Sequence, residues 1–139
     1  MAFRASFCDP FKPNIIELGD IRQDNVVDAF QKIPWSDFLQ KMEKVKEDEI
    51  HFSPSFEVEN KESKHGLAIS AVGDYNNFEF YIFYKRPKLV KVRKLFSSKE
   101  EMDDNYTTDI TAQTSEDVVD CLNALTRNDT TFLANKIGQ

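Results

Sequence analysis

The amino-acid sequence predicts an α+β fold, an antiparallel sheet of about five strands arranged as a meander, with N-terminal helices before it and two C-terminal helices after it, the helices mainly on one face. Three observations lead there. Apolar residues in the middle of the chain recur every second position, as in strands, while those in the flanks recur at i, i+3, i+4 and i+7, as on one helix face. The connections between the candidate strands are short, which suits antiparallel neighbours, because parallel pairs need crossovers of a dozen or more residues. Strands and helices are segregated along the chain rather than alternating, which separates α+β from α/β.

Residues 1–23 read as an irregular N-terminal segment. Pro10 and Pro13 interrupt it, and Asn14–Leu18 is a candidate short edge strand ending at Gly19-Asp20. Asp24 is a candidate N-cap for a short helix carrying Val26, Val27, Phe30 and Ile33 on one side. Pro34 breaks that pattern, since it lacks an N–H and disfavours the α region at the residue before it. A second helix restarts at once, with Trp35, Phe38, Leu39, Met42 and Val45 at helical spacing and Lys41, Lys44 and Glu47 facing away. That aromatic stripe reads as the face packed on the sheet rather than as a ligand wall.

From Phe52 the period becomes two. Phe56 and Val58 alternate with Glu57 and Glu59, a polar turn spans residues 60–66, and an apolar run covers 67–72. Residues 73–77, Gly-Asp-Tyr-Asn-Asn, are turn chemistry. The clearest strand is 78–84, with Phe78, Phe80, Ile82 and Tyr84 on one face and Glu79, Tyr81 and Phe83 on the other, which places it centrally in the sheet. Pro87 is expected to end it or to mark an edge. Leu89–Phe96 reads as a further strand, Ser97–Asp104 as a charged loop and Tyr106–Ala112 as the last strand. Thr114 to Asp117 has capping-box spacing ahead of a helix with Val118, Cys121, Leu122 and Leu125 on one stripe. A last helix starts at Asn128 or Asp129, buries Phe132, Leu133 and Ile137, and stops at Gly138.

With 139 residues and 12 Phe, the chain fits one domain, residues 1–139, able to build a core without disulfides or metals. Only Cys8 and Cys121 are present, without metal or redox spacing, and both read as idle thiols. No apolar run approaches the roughly 20 residues of a membrane helix, and residues 1–10 lack the apolar stretch of a secretory signal, so the expected location is the cytoplasm and no membrane partner is expected.

The chemistry-bearing residue types are scattered. His51 and His65 stand apart from metal-ligand spacing, and His65 reads as an exposed turn residue rather than a general base. The four glycines form no phosphate-binding loop. Glu57 and Glu59 share a strand face, where two acids could do acid–base work in an apolar hollow but more simply form a solvated face. No catalytic residue, no metal ligand and no cofactor is assigned, and an enzyme is the less favoured class.

Charge is the remaining signal. The net charge is -6, yet Lys85, Arg86, Lys88, Lys91, Arg93, Lys94 and Lys99 form a run without an acid. Its simplest use is to guard a strand edge against edge-to-edge pairing, with nucleic-acid contact through residues 85–94 disfavoured by the overall charge. The acids that follow, Glu100, Glu101, Asp103 and Asp104, with Tyr75 and Tyr106 around them, form the candidate partner-binding surface. The function expected on these grounds is non-enzymatic binding of a protein partner, of bacterial type, such as an immunity or inhibitor protein that neutralises a basic toxin nuclease. The alternative is a small-ligand binder or enzyme with a pocket between sheet and helix, walled by Trp35, Tyr81, Phe83 and Tyr84. A free strand edge could also pair two copies of the chain.

Overall fold

Alternation of large and small side chains begins at the third residue: Phe3, Ala5 and Phe7 are buried while Arg4 points outward. These residues form strand β1 (Phe3–Cys8), which pairs antiparallel with β2 (Ile16–Ile21). The computed structural model describes residues 2–95 and 97–139, with Lys94 described by its main chain. Two short helices follow, α1 (Val26–Gln31) and α2 (Trp35–Glu43), and then strands β3 (Ser55–Asn60), β4 (Gly66–Asp74), β5 (Asn77–Lys94) and β6 (Ser97–Gln113). Helices α3 (Ser115–Thr126) and α4 (Thr130–Ile137) complete the chain. The sheet has six strands in the order β2-β1-β3-β4-β5-β6, and each neighbouring pair is antiparallel. The α+β class, the meander of β3 to β6 and the flanking helices therefore match expectation, with one more strand.

The N-terminal segment is the first correction. Residues 1–23 are not irregular: β2 occupies the expected edge, and β1 lies inside the sheet between β2 and β3. A register shift between Ala5 and Ser6 lets β2 follow it, with Gly19 at φ +81°. The second correction concerns residues 85–104. Pro87 does not end a strand. It sits in a register shift between Arg86 and Lys88, where a missing N–H costs the ladder nothing, and β5 continues to Lys94. Ser97–Asp104 is the start of β6 rather than a loop. Phe96, the expected end of the separate strand, lies outside the described residues.

Helix starts follow local chemistry. At α3 the Thr114 hydroxyl accepts from the Asp117 N–H at 3.2 Å, and the Asp117 carboxylate accepts from the Thr114 N–H at 2.9 Å, the reciprocal capping box the spacing implied. Asp129 caps α4 by accepting from the Phe132 N–H. Asp24 does not cap α1; its carboxylate pairs with Arg22, and a single turn of tighter helix leads in instead. Val45 falls beyond the end of α2.

The helices pack on one face of the sheet. Trp35 and Leu39 of α2 and Val118, Cys121, Leu122 and Leu125 of α3 meet Phe7, Phe56, Ile69, Phe80 and Ile82 in one apolar cluster. Trp35 is wedged edge-on against Phe7 and Phe80, with centroids 6.2 and 5.5 Å away, and its indole N–H donates to the Phe30 carbonyl. Such edge-to-face pairs add about 1 kcal/mol each beyond the area they bury. No helix among the described residues is long and apolar enough to cross a membrane.

The turn from β4 to β5 depends on Gly73, whose φ is +123° and whose missing Cβ would stand 3.0 Å from the Asn77 carbonyl oxygen. At Gly19 a Cβ would meet open space. Both substitutions to Ala carry a left-handed backbone cost of roughly 1–2 kcal/mol, and Gly73→Ala adds a clash. Urea unfolding is expected to rank Gly73→Ala as the more destabilising by at least about 1 kcal/mol; equal losses would contradict the close approach seen here.

Candidate functional site

Three features outside the core could act on another molecule: the face of the sheet opposite the helices, a hollow beside His65, and the projecting end of the β5–β6 hairpin.

The face opposite the helices carries the outward residues of each strand, Arg4 and Ser6, Glu57 and Glu59, Ala68 and Ser70, Tyr81, Phe83 and Lys85. Small residues on β4 make a shallow trough of about 450 Å³ between the taller walls of β3 and β5. Glu57 and Glu59 face it together, as their spacing in the strand dictates. Their charges are met at once: the Ser6 hydroxyl donates to Glu57 at 3.4 Å, and Lys85 pairs with Glu59 at 3.6 Å. The surroundings are polar, and the Ser55 and Ser70 hydroxyls bond one another at 2.7 Å.

The candidate pocket walls are not brought together. Trp35 and Tyr84 point into the helix side of the sheet and are buried, whereas Tyr81 and Phe83 lie on the opposite face. Strand alternation forbids one pocket from using both sets, and the hollow of about 530 Å³ that Trp35 does line, with Phe30, Phe78, Phe80 and Gln113, includes none of Tyr81, Phe83 and Tyr84.

His65 also differs from expectation. It is half-buried, its Nδ1 lies 2.7 Å from the Tyr84 hydroxyl, and it lines a hollow of about 330 Å³ with Asn60, Leu125, Asn128 and Leu133. Burial, with a smaller contribution from the nearby Arg86 guanidinium, lowers its pKa. Burial raises the Tyr84 hydroxyl. The sequence signal for this contact was the aromatic register of β5, which aims Tyr84 at the turn before Gly66. Both thiols are free and buried; burial pushes Cys121 up to about 11, so it is a packing residue, as its place on the apolar stripe implied. Among the described residues no group of three or more His, Cys, Asp or Glu is placed to hold a metal ion.

Arg86 is the residue that sequence reasoning missed as an individual. It is buried to 6% exposure, and its guanidinium stands over both the Tyr84 and the Tyr106 rings, 4.2 and 4.7 Å from their centroids. It donates to the Tyr84 carbonyl, the Thr108 hydroxyl and the Gly138 carbonyl. The Tyr106 hydroxyl donates to the main-chain oxygen of Gln139, and Lys88 stands over the same ring. The planar cation thus ties β5, β6 and the end of α4 at one point.

Beyond that point β5 and β6 leave the sheet. The last pairing of β4 with β5 is Gly66 with Lys85, while the β5–β6 ladder runs on to Lys94 opposite Ser97. The result is a two-stranded arm roughly 30 Å long. The acidic residues proposed as a docking loop stand in this arm opposite the basic run: Glu100 faces Lys91, Asp103 faces Lys88 and Glu101 faces Val90. Cross-strand pairs of opposite charge stabilise a ladder by about 0.2–1 kcal/mol each. Leu89 and Met102, directly opposite one another, are 52% and 57% exposed. Tyr106 sits at the base of the arm, but Tyr75 lies at the turn that begins β5, at the strand's other end. The six partner-surface residues are therefore not one patch.

No protein-family model, curated protein or solved structure matches the chain.

Because its pKa is lowered in the fold, His65 binds its proton less readily there than in the unfolded chain, where the ordinary value is about 6.5. Stability is then greatest above pH 6.5 and falls as pH drops from there through the lowered folded value. Urea denaturation between pH 7.5 and 5 is expected to give a falling curve that His65→Gln flattens; an unchanged slope in that variant would remove His65 as the cause.

Proposed function

We propose that the protein is a non-catalytic binding domain that engages a protein partner chiefly through the β5–β6 arm. The observation that carries this reading is the arm itself. A two-stranded ribbon standing in water is marginally stable at best, because it has no second layer to bury against. Here eight or so rungs extend past the sheet with Leu89, Met102 and Leu95 exposed, Leu95 to 89%. A surface of that kind gains apolar burial and unused main-chain hydrogen bonds when another protein covers it. An inhibitor or immunity protein that inserts an arm into its target is one form of this function. A basic target of the kind the acidic run suggested would face an arm in which seven Lys or Arg stand against four Asp or Glu over residues 85–104, so the arm favours a less basic partner.

The trough on the open face supports a second reading, a polar ligand held between Glu57, Glu59, Arg4 and Lys85. In that case Phe83, which lines the trough, would report binding through its ring resonances.

The test is a variant in which Asn-Gly replaces residues 88–103, keeping Arg86 and the six-stranded body. Such a protein is expected to unfold cooperatively, like the full chain, and to lose at least 90% of an identified cross-linked partner recovered with the wild type from the source cell. Undiminished recovery would reject the arm as the binding element.

A further inference from the structure

The open edge of β5 adds a chemical constraint on the partner. β4 stops pairing at Lys85, so from residue 86 to residue 94 the side of β5 that faced β4 has no neighbouring strand among the described residues. In the same segment, among the described residues, no main-chain to main-chain hydrogen bond outside the β5–β6 ladder is made. An extended segment laid there would continue the sheet where β4 leaves it, by strand addition.

We propose that this edge takes an acidic, extended segment of a partner protein, in which acidic residues alternate with apolar ones; this rests on the arm-binding reading above. Residues 85–94 hold six Lys or Arg and no acid. The chain already displays what such a strand pairs with, because β6 brings Glu100 opposite Lys91 and Asp103 opposite Lys88 on the other side. A third strand would repeat that chemistry. Because side chains of a strand alternate between faces, its acids would stand beside Lys91 and Arg93 on one face of the ribbon and its apolar residues beside Val90 and Val92 on the other.

The same charges select against other occupants. A second copy offering its own β5 would set Lys and Arg opposite Lys and Arg, which destabilises a ladder. A nucleic-acid strand would bring phosphates to within two strand spacings, about 10 Å, of Glu100, Glu101, Asp103 and Asp104, where repulsion is only partly screened. The lysines that guard the edge against self-pairing are thus the ones that admit an acidic strand.

The experiment is an NMR titration of the isotope-labelled full chain with a ten-residue peptide alternating Glu with Val and Thr. Two controls have equal charge: a peptide of Glu, Gly and Ser, and a single-stranded oligonucleotide. The alternating peptide is expected to shift the amides of residues 86–94, to slow the exchange of those facing away from β6, and to bind at least tenfold more tightly than either control. The double variant Lys91→Glu with Arg93→Glu, both exposed positions, is expected to bind at least tenfold more weakly while keeping the dispersed spectrum of a folded chain. The proposal falls if either control binds as well as the peptide, if shifts appear along β6 or through self-association, or if millimolar peptide leaves residues 86–94 unmoved. Should the peptide fail while the shortened-arm protein still loses its partner, strand addition alone is rejected. Should the shortened arm keep its partner, the arm reading itself is rejected.

Discussion

β5 is 18 residues long and its inner neighbour β4 only nine, and the two cannot stay paired. Past Lys85 the longer strand keeps β6 and loses β4, so a sheet element becomes a free arm. What holds the arm's base is Arg86. A buried cation is costly unless its donors are used, and here they go to the Tyr84 and Gly138 carbonyls and the Thr108 hydroxyl, with two tyrosine rings against the guanidinium. Arg86 therefore anchors the end of α4 to the two strands at the point where they depart from the sheet. The register shift at Pro87 follows immediately, which is where a bend in the ribbon is cheapest.

The second constraint is one-sided burial. Four helices cover a single face, and the aromatic residues of β1, β3 and β5 supply the core with them. The opposite face keeps small or charged residues on β3 and β4, so it is wet, with its carboxylates met by Lys85 and the Ser6 hydroxyl. Opposite charges are brought together in the trough, where Lys85 meets Glu59, and along the arm, where Lys91 faces Glu100 and Lys88 faces Asp103, while Arg93 faces only Ser98.

Most of the fold was legible because its signals were local. The period-two run from Phe78 to Tyr84, the helical stripe from Trp35 to Met42 and the Thr114–Asp117 box each depend on neighbours a few residues away. β1 was equally legible in principle: Phe3, Ala5 and Phe7 alternate with Arg4 and Ser6, but Pro10 and Pro13 pulled the reading toward irregular chain. The acidic half of β6 was not legible. Ser, Lys, Glu and Asp are poor strand formers by themselves, and Ser97–Asp104 is extended because a basic strand lies beside it, a long-range match that residue-by-residue propensity does not contain. Pro87 misled for a related reason, since its harmlessness depends on a bulge. The candidate site shifted with these elements. Glu100 to Asp104 moved from a loop into a ladder, Trp35 and Tyr84 separated from Tyr81 and Phe83 across the sheet, and Arg86 emerged from a charge run as a single buried anchor.

Residues 86–94 form a strand bonded to β6 on one side and, among the described residues, to no strand on the other. Site-resolved amide hydrogen exchange measures it directly. Residues 82–85 should be protected throughout, being flanked by β4 and β6, whereas along 86–94 protected amides bonded to β6 should alternate with fast ones on the vacated side. Uniform protection would mean that the edge is already covered, and uniformly fast exchange would mean that the arm is not a strand; either result would contradict the account.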